Sequence, residues 1–441
     1  MMDRIEVNID GGLDIPLPRM VPIRQKFDTK KLDSVTAAVQ KQFLRKEIAS
    51  KIKPGMTVAV GCGSRGVANI REAATATVAE IKKLGGKPFI FPAMGSHGAA
   101  TAEGQRQVLA GYGITEANVG CPVRATMETK ELGKLPDGTP VYADAYAADA
   151  QGIVFVCRIK PHTNFRAPIE SGIVKMMTIG MGKIRGATTL HSHGMDRFID
   201  LLPAAARLVM DKAPFLFGVA MIENAHDETM HVEAIPRETL FQREPELQAL
   251  SKESIGRLYF DGFDVLIIGE IGKNISGAGA DPNVIGRNNR GILGFDRPAI
   301  TKIVMLDLTE VTHGNATGLG MGDVVTMKLF KKIDYGATYA NCITATYLDG
   351  AAIPLIMNTD KEAIALAIKT VPRVKPLDTR VVWVKNTLAL THVAISEALA
   401  EQIRGDKRFE ILGEPEPFRF SAEGALLPLK GLPARVAHVA G

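Results

Sequence analysis

With four cysteines in 441 residues and no CxxC pair among them, this chain has neither a zinc ribbon nor a disulfide framework. Cys62, Cys121, Cys157 and Cys342 are far apart, as expected of reduced thiols in a cytoplasmic protein. The opening MMDRIEVNIDGG lacks the apolar stretch of a signal peptide, and no apolar run reaches membrane-spanning length. Blocks of one charge are missing too. The 53 Lys and Arg and 48 Asp and Glu are spread evenly and leave +5, so neither nucleic acid nor a membrane surface is an expected partner. No segment is of low complexity and no internal repeat stands out.

What is present is the balance of a soluble globular protein, 46% hydrophobic and 23% charged, in a chain long enough for two or three cores. Met56–Gly61 (MTVAVG) reads as a strand, Cys62-Gly63-Ser64-Arg65-Gly66 as its loop and Val67–Leu84 as a helix closed by Gly85-Gly86. The pattern repeats with Pro88–Pro92 (PFIFP), the loop Met94-Gly95-Ser96-His97-Gly98 and a helix starting near Thr101. A third strand, Gly152–Ile159, leads into Lys160-Pro161-His162-Thr163, followed by a helix over Phe198–Met210 and a strand near Phe215–Met221. Strands alternating with helices predict α/β architecture with mostly parallel sheets, whose functional loops gather at the C-terminal strand ends. Asp264–Gly269, Lys302–Leu308 and Arg380–Val384 read as strands of a further α/β domain, with Asp360–Thr370 and Thr391–Ile403 as its helices. The expected division is 1–255, 256–408, and a Pro-rich tail, 409–441, returning to the first domain, with the active site in the interdomain cleft.

Three of the candidate loops carry histidine: His97 in GSHG, His162 in KPHT, and His191 with His193 in LHSHG. Histidine moves protons near neutral pH and binds late transition metals. A lone loop histidine is more often a surface or turn residue, so position at a strand end is what singles out His97 and His162. Lys175, between Val174 and Met176, is a candidate desolvated amine, although a lysine at an element edge more often just reaches for water. Arg65 suits bidentate capture of a carboxylate or phosphate, and the glycines around it suit anion binding at a helix start.

Taken in order, these pieces resemble the lactate racemase family, whose members carry a nickel-pincer nucleotide. The order is a strand followed by xxxR (Arg65), a G-x-H loop (His97), Pro161-His162, then Ser171-Gly172-Ile173-Val174-Lys175, then His191; GNATGLGMGD (Gly314–Asp323) extends the likeness into the second half. The resemblance implies an isomerase, a racemase or epimerase of small 2-hydroxy acids working by hydride transfer. It further implies that Lys175 is joined covalently to the cofactor, pyridinium-3,5-bisthiocarboxylic acid mononucleotide with nickel, and that His191, rather than His193, binds the metal. Gly63, Ser64 and Arg65 would contact the cofactor, with Arg65 also available for the substrate carboxylate. His97 and His162 would be paired acid/base groups. The cell's cofactor-synthesis enzymes would be partners.

The sequence departs from that pattern in places. Cys62 stands where the family commonly has Asp, three residues before the arginine, and the spacing from His162 to Lys175 is longer. In the second half Glu270–Gly277 replaces the usual stretch, leaving Lys273, Asp281, Asn283 and Arg287 as candidate substrate contacts or, equally, turn residues. These departures leave the reaction class in place and the identity of the 2-hydroxy acid open. The competing expectation is a hydrolase or lyase of hydroxy acids with the same fold and no nickel, using His97 and His162. A non-catalytic nucleotide- or metal-binding module would leave the two strand-end histidines unexplained.

Overall fold

A computed structural model describes residues 4–64, 66–288 and 293–432. Asp28–Ile255 form one compact unit, and the described parts of Met1–Phe27 and Gly256–His438 form the other. In chain order the strands are β1 (Met20–Gln25), β2 (Thr57–Cys62), β3 (Lys87–Pro92), β4 (Thr129–Lys134), β5 (Pro140–Asp144), β6 (Gly152–Arg158), β7 (Phe215–Glu223) and β8 (Thr229–Pro236). They continue with β9 (Gly262–Ile268), β10 (Ala299–Met305), β11 (Val324–Thr326), β12 (Leu355–Met357), β13 (Val381–Val384), β14 (His392–Ser396) and β15 (Phe409–Ile411).

The 28–255 unit is built on a five-stranded sheet in the order β3-β2-β6-β7-β8, parallel except for β8, with β4 and β5 forming a separate hairpin. Its central strands are buried along nearly their whole length because both faces are covered. Ala59, Phe89, Phe91, Ile153, Phe155 and Cys157 point to one core, which Leu201, Leu202, Ala205 and Val209 of the helix Phe198–Lys212 complete. Val58, Val60, Ile90, Val154 and Val156 point to the other, covered by the helices Val35–Phe43 and Ile70–Lys83. Side-chain hydroxyls start two of the covering helices: Ser34 accepts from Ala37 N–H, and Thr101 accepts from Gly104 N–H at the head of Ala102–Gly111. The three loops that follow β2, β3 and β6 therefore emerge side by side at one end of the sheet.

The second unit has an eight-stranded sheet, β12-β11-β10-β9-β13-β14-β1-β15. Strands β12 to β13 are parallel, whereas β14, β1 and β15 alternate in direction. Val265, Ile267, Val304 and Val381 pack against Ala363, Ile364, Ala367 and Ile368 of the helix Asp360–Lys369.

The α/β class with mostly parallel sheets is as expected from the sequence, but three local expectations change. Residues 4–27 belong with the second unit, because β1 lies between β14 and β15, with Met20 opposite Ser396 and Gln25 opposite Phe409. The described part of the tail, 409–432, also belongs to that unit rather than to the first: β15 is its edge strand, and Glu416 pairs with Met20. Within Thr391–Ile403, the β-branched stretch His392–Ser396 is strand and only Glu397–Gln402 is helix. Among the described residues no helix is long and apolar enough to cross a membrane.

Candidate active site

The loop after β3 carries His97 and is held from below by a buried polar network. Gly95 N–H donates to Gly180 O at 2.9 Å, and Gly98, Ala99 and Ala100 follow His97 with φ of 64°, 54° and 53°. Side chains rarely adopt such a conformation, and it places the turn directly on the next helix. A Cβ at Gly98 would lie 2.6 Å from Gln105 N, so only glycine fits. The fully buried Gln105 amide donates to Gly95 O at 2.9 Å and His97 O at 3.2 Å, and its Oε1 accepts from Lys183 Nζ at 3.0 Å. Lys183 also donates to Pro92 O and pairs with Asp144 at 2.9 Å, both side chains having no exposure. Burial pulls the Lys183 ammonium down and pushes the Asp144 carboxyl up, while each partner opposes the shift of the other. His97 Nδ1 itself is hydrogen-bonded to Ser64 Oγ in the loop after β2, and Tyr112 Oη donates to Ser64 O at 2.7 Å.

After β6, His162 is held through its backbone, its Nδ1 and a ring neighbour. The buried Glu170 accepts its backbone N–H at 2.7 Å, Arg166 donates to its carbonyl at 3.1 Å, and Phe165 lies against its ring with centroids 4.5 Å apart. His162 Nδ1 accepts from Asn164 N–H at 3.0 Å. Glu170 also accepts from Ala167 N–H at 3.2 Å and from Lys252 at 2.5 Å, so one carboxylate shapes the whole turn.

Lys175 lies at the end of a single helical turn, Ile173–Lys175, that runs on into a five-residue π-turn, Met176–Gly180. Such turns are rare outside functional regions. The start of the turn is capped from another element: Glu244, fully buried, accepts Val174 N–H at 3.2 Å. A Cβ at Gly172 would sit 2.3 Å from Glu244 Oε1. Burial pushes this carboxyl up to about 8, against the pull of the Val174 and Ile173 amides.

His191 ends the helix Lys183–His191, and its Nδ1 donates to Ala187 O at 2.6 Å, which leaves the Nε2 lone pair for another partner. Its pKa is lowered, first by burial and further by the nearby Lys175 charge, with the Ala187 carbonyl opposing. His193, by contrast, is exposed and has its Nε2 on Thr139 Oγ1 at 3.0 Å.

Contacts join these parts into one site. A Cβ at Gly63 would meet Met176 Sδ at 3.3 Å, and one at Gly95 would meet Ala187 Cβ at 3.5 Å. Rings run from His162 to Phe165, then Phe198, then His191, with centroid separations of 4.5, 5.5 and 5.2 Å. Gly63, Ser64, His97, His162, Lys175 and His191 thus share one end of the five-stranded sheet, while Arg65 lies outside the described residues. Cys62 ends β2 fully buried, its thiol pushed up to about 12, so no charge stands at that position. Glu170, Glu244, Gln105 and Lys183 carry the support of the site, and no local motif in the sequence distinguishes them from surface charges.

The four candidates from the second unit have structural bonds there. Asp281 caps the turn Pro282–Ile285 and bonds Asn283 through both backbone and side chain. Lys273 donates to Gly277 O at 2.6 Å. Arg287 pairs with Asp323 at 2.6 Å and donates to Met321 O and Ile300 O.

No protein-family model matches this chain, and no curated protein matches it in sequence. Among solved structures it is similar to the lactate racemase apoprotein from Thermoanaerobacterium thermosaccharolyticum, at 11% identity and a TM-score of 0.52, over 83% of this chain and 94% of that one. At that identity the likeness is one of fold, and the chain has the fold of a lactate racemase apoprotein.

Proposed function

We propose that this protein is a racemase or epimerase of a small 2-hydroxy acid that works with a nickel-pincer nucleotide bound covalently through Lys175. The observation that carries the proposal is the pairing of Lys175 with His191. The imidazole is oriented by Ala187 O so that its Nε2 lone pair is available, and burial keeps it in the neutral, metal-binding form. No group of three or more His, Cys, Asp or Glu able to hold a metal occurs among the described residues. A pincer ligand would bring further donors of its own to His191. His191 would hold the nickel, Lys175 the nucleotide, and Gly63 and Ser64 would lie beside it. When bound, that group supplies a reversible hydride acceptor, so no carbanion has to form beside a carboxylate.

The chain's own residues then handle the hydroxyl group. His97 and His162 stand on loops flanking β2, each anchored through its backbone as well as its ring. Phe165 against the His162 ring, with Phe198 behind it, would limit water beside that histidine. Arg65, in the sequence between Ser64 and Gly66, is the expected partner for the substrate carboxylate. The fold likeness supports an isomerase of this kind, and the altered Glu270–Gly277 stretch argues for an acid other than lactate.

A hydrolase or lyase remains the second reading, and the Ser64–His97 hydrogen bond favours it, since a serine next to a histidine is also a nucleophile pair. Co-expression with pincer-synthesis enzymes in nickel-supplemented medium decides between them. Intact mass and nickel content are measured for wild type and Lys175→Ala. A nucleotide-sized adduct with near-stoichiometric nickel, absent from the variant, supports the racemase. Protein that stays empty where a known racemase is loaded moves the hydrolase or lyase to the front.

A further inference from the structure

One surface of the second unit is built the wrong way round for contact with water. The helix Tyr335–Thr344 turns Thr338 and Cys342 inward and Tyr335, Tyr339 and Ile343 outward. A surface helix normally does the reverse. The inward face is polar because it serves the glycine-rich loop Gly314–Asp323. Thr338 Oγ1 accepts from Ala316 N–H at 3.0 Å, and Thr317 Oγ1 donates to Asn341 Oδ1 at 2.8 Å. The outward residues follow one another at intervals of four and so form a single stripe, with the Tyr335 and Tyr339 rings 5.7 Å apart.

The stripe does not stop at the helix. Tyr347 N–H returns to Cys342 O at 2.8 Å, and the chain then presents Leu348, Ile353 and Leu355 to solvent on its way into β12. Phe330, on the helix Met327–Lys331 that packs beside β12, lies against Tyr335 with centroids 6.3 Å apart. Ile343, Leu348 and Leu355 are 63%, 68% and 62% exposed. Leu355 opens β12, the end strand of the eight-stranded sheet, which among the described residues has a strand on one side only. Natural edges are commonly guarded by charge. Here, between Asp334 and Asp360, the chain has a single charge, Asp349.

We propose that this face docks a second copy of the same chain about a twofold axis, with the two β12 edges side by side. Charge selects that occupant. A face with one carboxylate and no cation offers nothing to nucleic acid, to anionic headgroups or to a charged peptide, and would leave their charges buried and unpaired. A neutral face rich in tyrosine and aliphatic side chains matches another of its kind, and an isologous contact needs only that one patch. The free edge selects it too. An edge strand takes another strand as its partner, and a twofold axis makes two copies of one strand antiparallel. The area is sufficient. At roughly 150–250 Å² for a fully exposed side chain of this size, the six outward residues leave on the order of 600 Å². The exposed Ala340, Thr344 and Ala352 among them bring this towards the ~800 Å² that each partner gives to a stable interface.

Sedimentation velocity on the full chain across about 1–100 μM tests this, and a species of twice the chain's mass is expected at the upper end. A chain that stays monomeric throughout overturns the proposal. Ile343→Glu combined with Leu355→Glu sets like charges opposite one another and should raise the dissociation constant at least about a hundredfold. Both side chains are exposed in the single chain, so the circular dichroism spectrum should not change. Leu44→Glu, at an exposed leucine of the other unit, should leave the dimer intact. A dimer that survives the double variant, or that Leu44→Glu breaks equally, overturns the assignment of this face. The edge pairing has its own readout. All four native cysteines are buried, so Leu355→Cys offers one exposed thiol, and a short bismaleimide should link two copies through it. A dimer that does not link there overturns the pairing of the β12 edges. Wild type that floats with neutral phosphatidylcholine vesicles while remaining monomeric, and loses this in the double variant, overturns the proposal in favour of a lipid surface.

Discussion

The most discriminating physical prediction concerns Glu244. Its carboxyl is fully buried at the start of the turn that bears Lys175, and burial raises it from an ordinary 4.5 to about 8. The folded protein therefore holds this proton more tightly than the unfolded chain does. By linkage its contribution is fully present below 4.5 and is lost as pH rises through about 8. Each pH unit across that span is worth about 1.4 kcal/mol, so the whole span amounts to at most about 5 kcal/mol. Glu244→Gln keeps a carbonyl for the Val174 and Ile173 amides and removes the titration. Urea unfolding should be followed by far-UV circular dichroism, since the single tryptophan, Trp383, lies in the other unit. Wild type should lose stability relative to Glu244→Gln between about pH 6 and pH 8.5, with the variant the more stable at the alkaline end. Curves that run parallel across that range, or a variant destabilised equally at both ends, would refute the buried neutral acid and recast Glu244 as an ordinary charged cap.

Three further outcomes follow from the same geometry. Lys183→Met leaves Asp144 charged and buried and should cost about 3–5 kcal/mol in chemical denaturation; adding Asp144→Asn, which keeps the Ala147 cap, should restore most of it. Gly61→Ala places a Cβ 2.6 Å from Phe155 and 2.9 Å from Phe91, and thermal unfolding should report a loss of about 1–3 kcal/mol. Ser64→Ala removes the Nδ1 partner of His97; on loaded enzyme kcat should fall roughly tenfold to a hundredfold with KM unchanged, whereas a rise in KM alone would make Ser64 a binding residue.

The parts of this molecule that were legible in the sequence are those governed by local chemistry. The apolar runs of β2, β3 and β6 announce strands buried on both faces, and Thr101 and the Gly85-Gly86 pair punctuate the helices between them. The loops they deliver hold His97 and His162 at the ends of the two strands that flank β2. Strand β1 was not legible, because Met20–Gln25 finds both its backbone partners more than three hundred residues away. The same limit applies to the support of the site. Glu170 is understandable only once Lys252 reaches it, Glu244 once Gly172 packs on it, and Lys183 once Asp144 and Gln105 close around it. A carboxylate or an amine in the sequence does not reveal whether it is solvated or buried against a partner from a distant segment. Tautomers were equally invisible, since they depend on which amide or hydroxyl reaches a ring nitrogen.

The placement of β1 has a consequence for how the polypeptide matures during synthesis. A ribosome makes Met20–Gln25 first, then all of Asp28–Ile255, and reaches β14 and β15 only near the end. The intervening unit has every one of its sheet partners within its own span, so it can finish folding on the emerging chain. Throughout that time β1, five of whose six residues are destined for the interior, has no strand on either edge. An unpaired apolar strand is a template for wrong partners, including a second nascent copy. A circular permutant that begins at Asp28 and ends with β1 would keep these backbone pairs and remove the wait, and the yield of soluble protein would register the difference.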